Sequence, residues 1–259
     1  MPQFRLPLII IRYQQILYLI IKLSKDNQVD IDSSLFINEE VPVEDIIQGV
    51  AKFQNEVYPG KETAFRKLAN GQNPDVLFIT CADSRIDPGM LTQTQPGDLF
   101  ICRNAGNVVP PHSNHTGGMT ASIEFAVAAL GVSHIVVCGH SDCGAMKGAI
   151  DPSALGDLPH VKEWLGHCRA ASEIVKERHG HIDKCHLDEV SKENVLLQLQ
   201  HLRTHAAVAA KLASGKVRLH GWIYNIASGE VECYNDERQQ FELMDSAYSH
   251  LFAEHGVAV

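Results

Sequence analysis

Three short apolar runs without a polar interruption, Val76–Ile79, Leu99–Cys102 and Ile135–Cys138, constrain this chain more than any other feature. A strand wetted on one face alternates apolar with polar residues; a parallel strand covered on both faces does not. The segments between the runs carry helical spacing. Gly117-Gly118 opens a helix through about Gly131, with Ile123, Ala126, Val127 and Leu130 on one face. Buried strands alternating with helices predict an α/β fold, a central, mostly parallel β-sheet flanked by helices. Upstream, helices are expected over Val43–Glu56 and Glu62–Ala69, parted by Pro59-Gly60. Downstream, a long helix from near Ser191 to Gly215 should turn Leu199, Leu202, Ala206 and Ala209 inward. Trp222–Tyr224 and Val231–Tyr234, joined through Ser228-Gly229, read as a closing hairpin at the edge of the sheet.

Composition narrows the function classes. The 259 residues carry 22 Lys+Arg against 31 Asp+Glu, a net −9, which argues against non-specific nucleic-acid binding. No uncharged apolar run approaches the length of a membrane span. Seven cysteines, an odd number in a long chain, disfavour a disulfide scaffold. They point to metal binding, catalysis or burial in a reducing compartment, hence a cytoplasmic protein. Residues 1–25 hold four basic residues and no acid, with Arg5, Arg12, Gln15 and Lys22 on one helical stripe. They read as a basic amphipathic helix, docked on a subunit, on a partner or peripherally on a membrane. Arg12 interrupts its apolar stretch, which makes it a poor signal peptide. An acidic linker follows, so residues 1–40 are set apart from a domain over 41–259.

Two strand ends carry the chemistry. The first run enters Cys81-Ala82-Asp83-Ser84-Arg85 and the third enters Gly139-His140-Ser141-Asp142-Cys143-Gly144. Ligands in open α/β sheets bind beyond the carboxyl ends of the strands, so neighbouring strands would bring both loops to one crevice. Cys81, His140 and Cys143 form a suitable donor set for zinc. Three protein ligands leave a position for water or substrate, as in catalytic sites. Asp83 and Arg85, two apart on an extended loop, would form an oriented, ionised carboxylate–guanidinium pair.

These segments, with Arg103-Asn104-Ala105-Gly106-Asn107 and His220-Gly221-Trp222-Ile223-Tyr224, resemble the motif series of the β-class carbonic anhydrases over about residues 45–235. The resemblance implies reversible hydration of carbon dioxide to bicarbonate and a proton. One zinc per subunit would sit on Cys81, His140 and Cys143, with its hydroxide oriented by the catalytic pair Asp83 and Arg85. It also implies substrate contacts from Gln72, Phe100, Ala105, Phe125 and Gly144. Ala105 stands where that family usually has valine, and Phe125 where it usually has tyrosine. A homodimer or higher oligomer is implied, with Gln72 and Phe125 lining the partner's pocket. In one branch of the family, bicarbonate binds a second, inhibitory site built with a tryptophan three residues before the first cysteine. Here Phe78 holds that position, beside Arg103 and Tyr224, and phenylalanine has no N–H to offer an anion. The plant-like, non-allosteric branch is therefore expected, with Asp83 paired to Arg85 and Arg103 bracing the loop around Asn104.

Two other readings stay open at this stage. The same zinc chemistry could act on carbon disulfide or carbonyl sulfide, or the site could be a zinc-held interaction module without turnover. A second cluster, His179-Gly180-His181 with Cys185-His186, has metal-ligand composition, and His112 and His115 are candidate proton shuttles. Cys102, Cys138, Cys168, Cys185 and Cys233 read as buried or incidental thiols.

Overall fold

The computed structural model describes residues 41–113 and 117–249; the predicted N-terminal helix over residues 1–25 and His115 lie outside them. The chain divides into one unit ending at Glu62 and a larger one from Thr63 onward.

In the first unit, helix α1 (Val43–Lys52) carries Glu44 and Asp45 in its first turn and Lys52 in its last, complementing the helix dipole. Val43, Ile46, Ile47 and Val50 form one stripe, and all four are exposed. The expected break at Pro59-Gly60 does not occur. A π-turn over Phe53–Val57 leads straight into α2 (Tyr58–Leu68). The Tyr58 N–H reaches back to the Phe53 carbonyl, five residues away. That wider turn accommodates a proline ring, and Pro59 stands in a first turn where its missing N–H costs little.

The second unit is built on a six-stranded sheet in the order β2-β1-β3-β4-β5-β6. Strand β1 is Val76–Cys81, followed by α3 (Pro88–Thr92) and β2 (Leu99–Asn104). Helix α4 (Gly118–Glu124) runs through a π-stretch, Phe125–Leu130, to Gly131 and then β3 (His134–His140). All three predicted strands are present, and each extends at least two residues beyond its apolar run. Next come α5 (Gly144–Ile150), α6 (Pro159–Trp164), α7 (Arg169–His179), α8 (Leu187–Thr204) and α9 (Ala206–Ala213). Strands β4 (Arg218–Tyr224), β5 (Val231–Asn235) and β6 (Gln240–Leu243) close the sheet, before α10 (Met244–Ala247). Strands β1 to β4 are mutually parallel; β5 and β6 add antiparallel at the edge. The predicted hairpin is β4–β5, and β6 is a further strand that the sequence reading did not find.

The predicted long helix is broken at His205, whose backbone is extended (φ −75°, ψ 123°) and whose ring bonds the Pro110 carbonyl at 3.0 Å. The break resets the helical phase. Leu199 and Leu202 are buried as expected, but Ala206 and Ala209 are exposed, and Val208 takes the inward position.

Two glycines set how closely α8 lies on the sheet. A Cβ on Gly139 would come within 2.9 Å of Val195 and Ile223. One on Gly221 would meet Val195 at 2.9 Å and Leu199 at 3.2 Å. Strand register places Gly221 beside Val137 and Gly139 beside Ile223, so the helix rests in a shallow trough spanning β3 and β4. The core beneath it joins Leu77, Ile79, Ile135 and Val137 to Val195, Leu199 and Leu202. Gly221→Val should overpack this trough and cost roughly 1–3 kcal/mol. Gly166→Ala, facing open space, should stay within about 0.5 kcal/mol. Urea midpoints of the two variants against the parent check both.

Candidate metal centre

The chain runs from β1 to β2 on one side and then crosses to β3 on the other, so β1 and β3 diverge at their carboxyl ends. This is the switch point at which open sheets bind ligands. Cys81 ends β1, His140 ends β3, and Cys143 stands just before α5. Their ligand atoms lie within 4.8 Å of one another, and all three residues are buried.

The His140 ring is held by Nδ1, which donates to the Ser141 carbonyl at 2.8 Å. That fixes the tautomer and leaves a lone pair on Nε2, a fully buried atom without a hydrogen-bond partner. Buried polar atoms are rarely left so. A nitrogen oriented by a backbone carbonyl and aimed between two thiols is what a metal-ligating imidazole requires.

The thiols complete the set. The Cys81 thiol is pulled down, chiefly by the Cys143 thiol beside it, with the Gly106 N–H assisting; burial opposes the shift. The Gly106 N–H donates to Cys81 Sγ at 3.3 Å. Cys143 is pushed up by the neighbouring Cys81 sulfur and by burial; the N–H groups of Ala145 and Met146 oppose this. The pair thus holds one negative charge readily, and a second requires a cation. Two thiolates and a neutral imidazole fit a zinc ion in charge and in donor type.

Asp83 and Arg85 are joined as predicted, but through a tight turn rather than an extended loop. The Arg85 backbone N–H donates to Asp83 Oδ1 at 3.0 Å. Arg85 Nε and Nη2 donate to Oδ1 and Oδ2 at 2.9 and 2.8 Å. The guanidinium holds the Asp83 carboxyl well below the usual carboxylate range. Asp83 Oδ2 lies 3.8 Å from His140 Nε2, so the carboxylate borders the ligand atoms.

Further residues support this centre; of them Asp142, Asn194 and Gln198 were given no role from the sequence. Asp142, in left-handed backbone (φ 56°), accepts from Arg85 Nη1 at 3.2 Å and also pairs with Lys147. Arg103 donates to the Cys81 and Asp83 carbonyls at 3.1 and 2.7 Å, so it braces that loop rather than the one around Asn104. The Asn104 side chain closes its own loop onto Val108. Asn194 donates to the Gly106 carbonyl at 3.0 Å and is itself held by Gln198, which accepts from Val109 N–H. The signal for Asn194 and Gln198 was amide residues spaced i, i+4 on the apolar face of a helix.

The predicted pocket residues are placed less closely. Phe100 and Phe125 pack with ring centroids 6.0 Å apart. Ala105 accepts from Trp164 Nε1 through its carbonyl, and Gly144 opens α5. Gln72 and Phe125 lie at the surface. A cavity of about 720 Å³ against Ile101, Arg103, Asn104 and Trp164 contains none of the predicted substrate residues. His112 is exposed, with its ring against His205.

A family model described as carbonic anhydrase matches residues 76–231. A carbonic anhydrase of Pseudomonas aeruginosa is 46% identical over 197 residues, 76% of this chain and 90% of that protein. The solved β-carbonic anhydrase CcaA is similar at 40% identity with a TM-score of 0.75, covering 78% of this chain and 98% of its own. A solved structure described as one of two tetrameric β-carbonic anhydrases from the filamentous ascomycete Sordaria macrospora is 30% identical. It has a TM-score of 0.60 and covers 74% of this chain and 92% of its own.

Cys81→Ser, His140→Ala and Cys143→Ser should each lose zinc, because three ligands leave no redundancy. Elemental analysis of the purified variants checks this; a full complement of zinc in any one removes that residue from the set.

Proposed function

The chain belongs to the β-class carbonic anhydrases and catalyses the reversible hydration of carbon dioxide to bicarbonate and a proton; we propose that it does so with zinc on Cys81, His140 and Cys143 and with Asp83 and Arg85 as the orienting pair. The observation that carries this assignment is the buried, unpartnered Nε2 of His140, facing two thiols beside an ionised carboxylate.

Bound zinc supplies a hydroxide nucleophile at neutral pH. The chain's own residues do the rest. Asp83 Oδ2, 3.8 Å from His140 Nε2, is placed where it would accept a hydrogen bond from the nucleophile and hold it in orientation. Arg85 donates to both carboxylate oxygens and keeps the group ionised and fixed beside the ligand atoms. Asp142 holds Arg85 from the other side. On the family resemblance, Phe100 and Ala105 would give an apolar wall suited to a molecule without net dipole, Gly144 would leave room beside Cys143, and Gln72 and Phe125, both at the surface, would line the pocket of a partner copy. Asp83→Asn should keep its zinc and lose about two to four powers of ten in hydration rate, as measured by stopped flow on metal-verified protein. An unchanged rate would make the pair purely structural.

The site is completed by a second copy of the chain. Ile101, on the edge strand β2, is 44% exposed, and Phe125 is 48% exposed. A parallel sheet is ordinarily covered on both faces, so Ile101 bared on the edge strand, with Phe125 bared on the π-stretch after α4, marks a missing neighbour. The exposed stripe of α1 is a second such surface. Light scattering at micromolar concentration should give a dimer or a larger even assembly; an active monomer would contradict this. A reducing, cytoplasmic setting is supported by the odd number of cysteines, which read as metal ligands or buried thiols rather than a disulfide scaffold. Among the described residues no helix is long and apolar enough to cross a membrane. Docking of residues 1–25 on a membrane surface or partner rests on their basic, amphipathic sequence alone.

The non-allosteric form is favoured by two features. Phe78 is buried edge-on against Trp222, with centroids 5.8 Å apart, and presents no donor. Arg103 is engaged with backbone carbonyls. Bicarbonate should therefore inhibit without cooperativity in steady-state assays; a steep sigmoidal response would overturn this.

A further inference from the structure

A second group of metal-ligating side chains lies outside the catalytic centre and shares no residue with it. Helix α7 ends at Gly180, whose left-handed backbone (φ 75°) lets the chain reverse at once. The next six residues, His181 to His186, lead through a short 3-10 turn into α8. Within this connection one ligand atom each from His181, Asp183 and His186 lies within 4.8 Å of the other two. We propose that His181, Asp183 and His186 form an ancillary site for a divalent transition-metal ion of the zinc type, clamping the α7–α8 connection.

The donor chemistry is of the right kind: two imidazoles and a carboxylate, the commonest ligands for zinc after thiolate. The rings are also oriented as ligands. His181 Nδ1 donates to the His179 carbonyl at 3.2 Å, which leaves the lone pair on Nε2, the atom facing Asp183 Oδ2 at 3.6 Å. Such a backbone anchor on the far ring nitrogen is the usual support of a metal-bound histidine. That 3.6 Å gap is too long for a hydrogen bond and suits two ligands flanking an ion. Bonds of about 2.0–2.2 Å to a tetrahedral ion place its ligands roughly 3.3–3.6 Å apart, so modest closure of exposed side chains suffices.

His186 supplies the rigid side of the site. It is buried, and its Nδ1 lies 3.2 Å from Asp183 Oδ1 and accepts the Asp183 N–H at 3.2 Å, a long hydrogen bond that binding an ion at Nδ1 exchanges for a metal bond. The His179 ring backs it at 4.6 Å between centroids and is itself fixed by Glu189, which also binds Arg178. Ile182, between the ligands, packs with the core group that contains Cys81 and Cys143. The loop is thus tethered to the interior while its polar face stays open. Cys185 adds an exposed thiol beside His186, and a test must separate it from the three proposed ligands.

The test uses holoenzyme whose single catalytic zinc has been verified by elemental analysis, carrying Cys185→Ser so that the free thiol contributes nothing. Calorimetric titration with zinc chloride near neutral pH should show one further equivalent per chain, weaker than the first, and binding should fade as pH falls through the imidazole range. His181→Ala and Asp183→Asn should each weaken this second equivalent roughly tenfold or more. Both should leave the catalytic zinc and the carbon dioxide hydration rate unchanged. His186 is not used, because its buried ring also closes the local capping box. Absence of a second equivalent, or one that neither variant weakens, would overturn the proposal.

Discussion

Two thiols and an imidazole nitrogen, buried together, form the constraint on which the rest of this structure depends. Removing a thiolate from solvent is costly unless donors or a cation replace the lost hydration. The fold supplies the donors for one charge: the Cys143 thiol, assisted by the Gly106 N–H, draws Cys81 down, while Cys143 is driven up by the sulfur beside it. The second charge, and the bare Nε2 of His140, call for a dication.

Helix α8 delivers much of that arrangement. It lies deep against the sheet because Gly139 and Gly221 have no side chains to lift it. From that position Asn194 and Gln198, both buried, bond the backbone of the loop at Gly106 and Val109. That loop in turn presents its N–H to Cys81. A packing decision on β3 and β4 is thereby converted into the electrostatics of a thiol at the end of β1. Fully satisfied polar chains of this kind fix a loop more sharply than apolar contact alone would.

The carboxylate beside the ligands is governed by competition for a single guanidinium. Arg85 bonds Asp83 through two nitrogens and Asp142 through another, and Lys147 adds a further cation next to Asp142. Asp142 takes up left-handed backbone to do so, a conformation uncommon for a residue with a side chain. This shared network leaves Arg85 with little freedom to release Asp83, which keeps the carboxylate beside the ligand atoms rather than on them.

Local sequence determined strands β1 to β5 and the reaction, and it singled out the residues proposed to hold the metal. Apolar runs as short as Val76–Ile79 can be covered only on both faces, and cysteine and histidine at two such strand ends have few other uses. What the sequence left undetermined depended on contacts between distant segments. Pro59 continues a helix because the turn before it widens, and His205 breaks one because its ring finds the Pro110 carbonyl. The inward phase after that break passed from Ala206 and Ala209 to Val208. Arg103, Asp142, Asn194 and Gln198 gained their roles only when folding brought remote backbone atoms within reach. Periodicity and spacing report which residues are near in sequence and which face they share. Which buried donor meets which acceptor is decided by how helix and sheet pack, and only the tertiary structure holds that information.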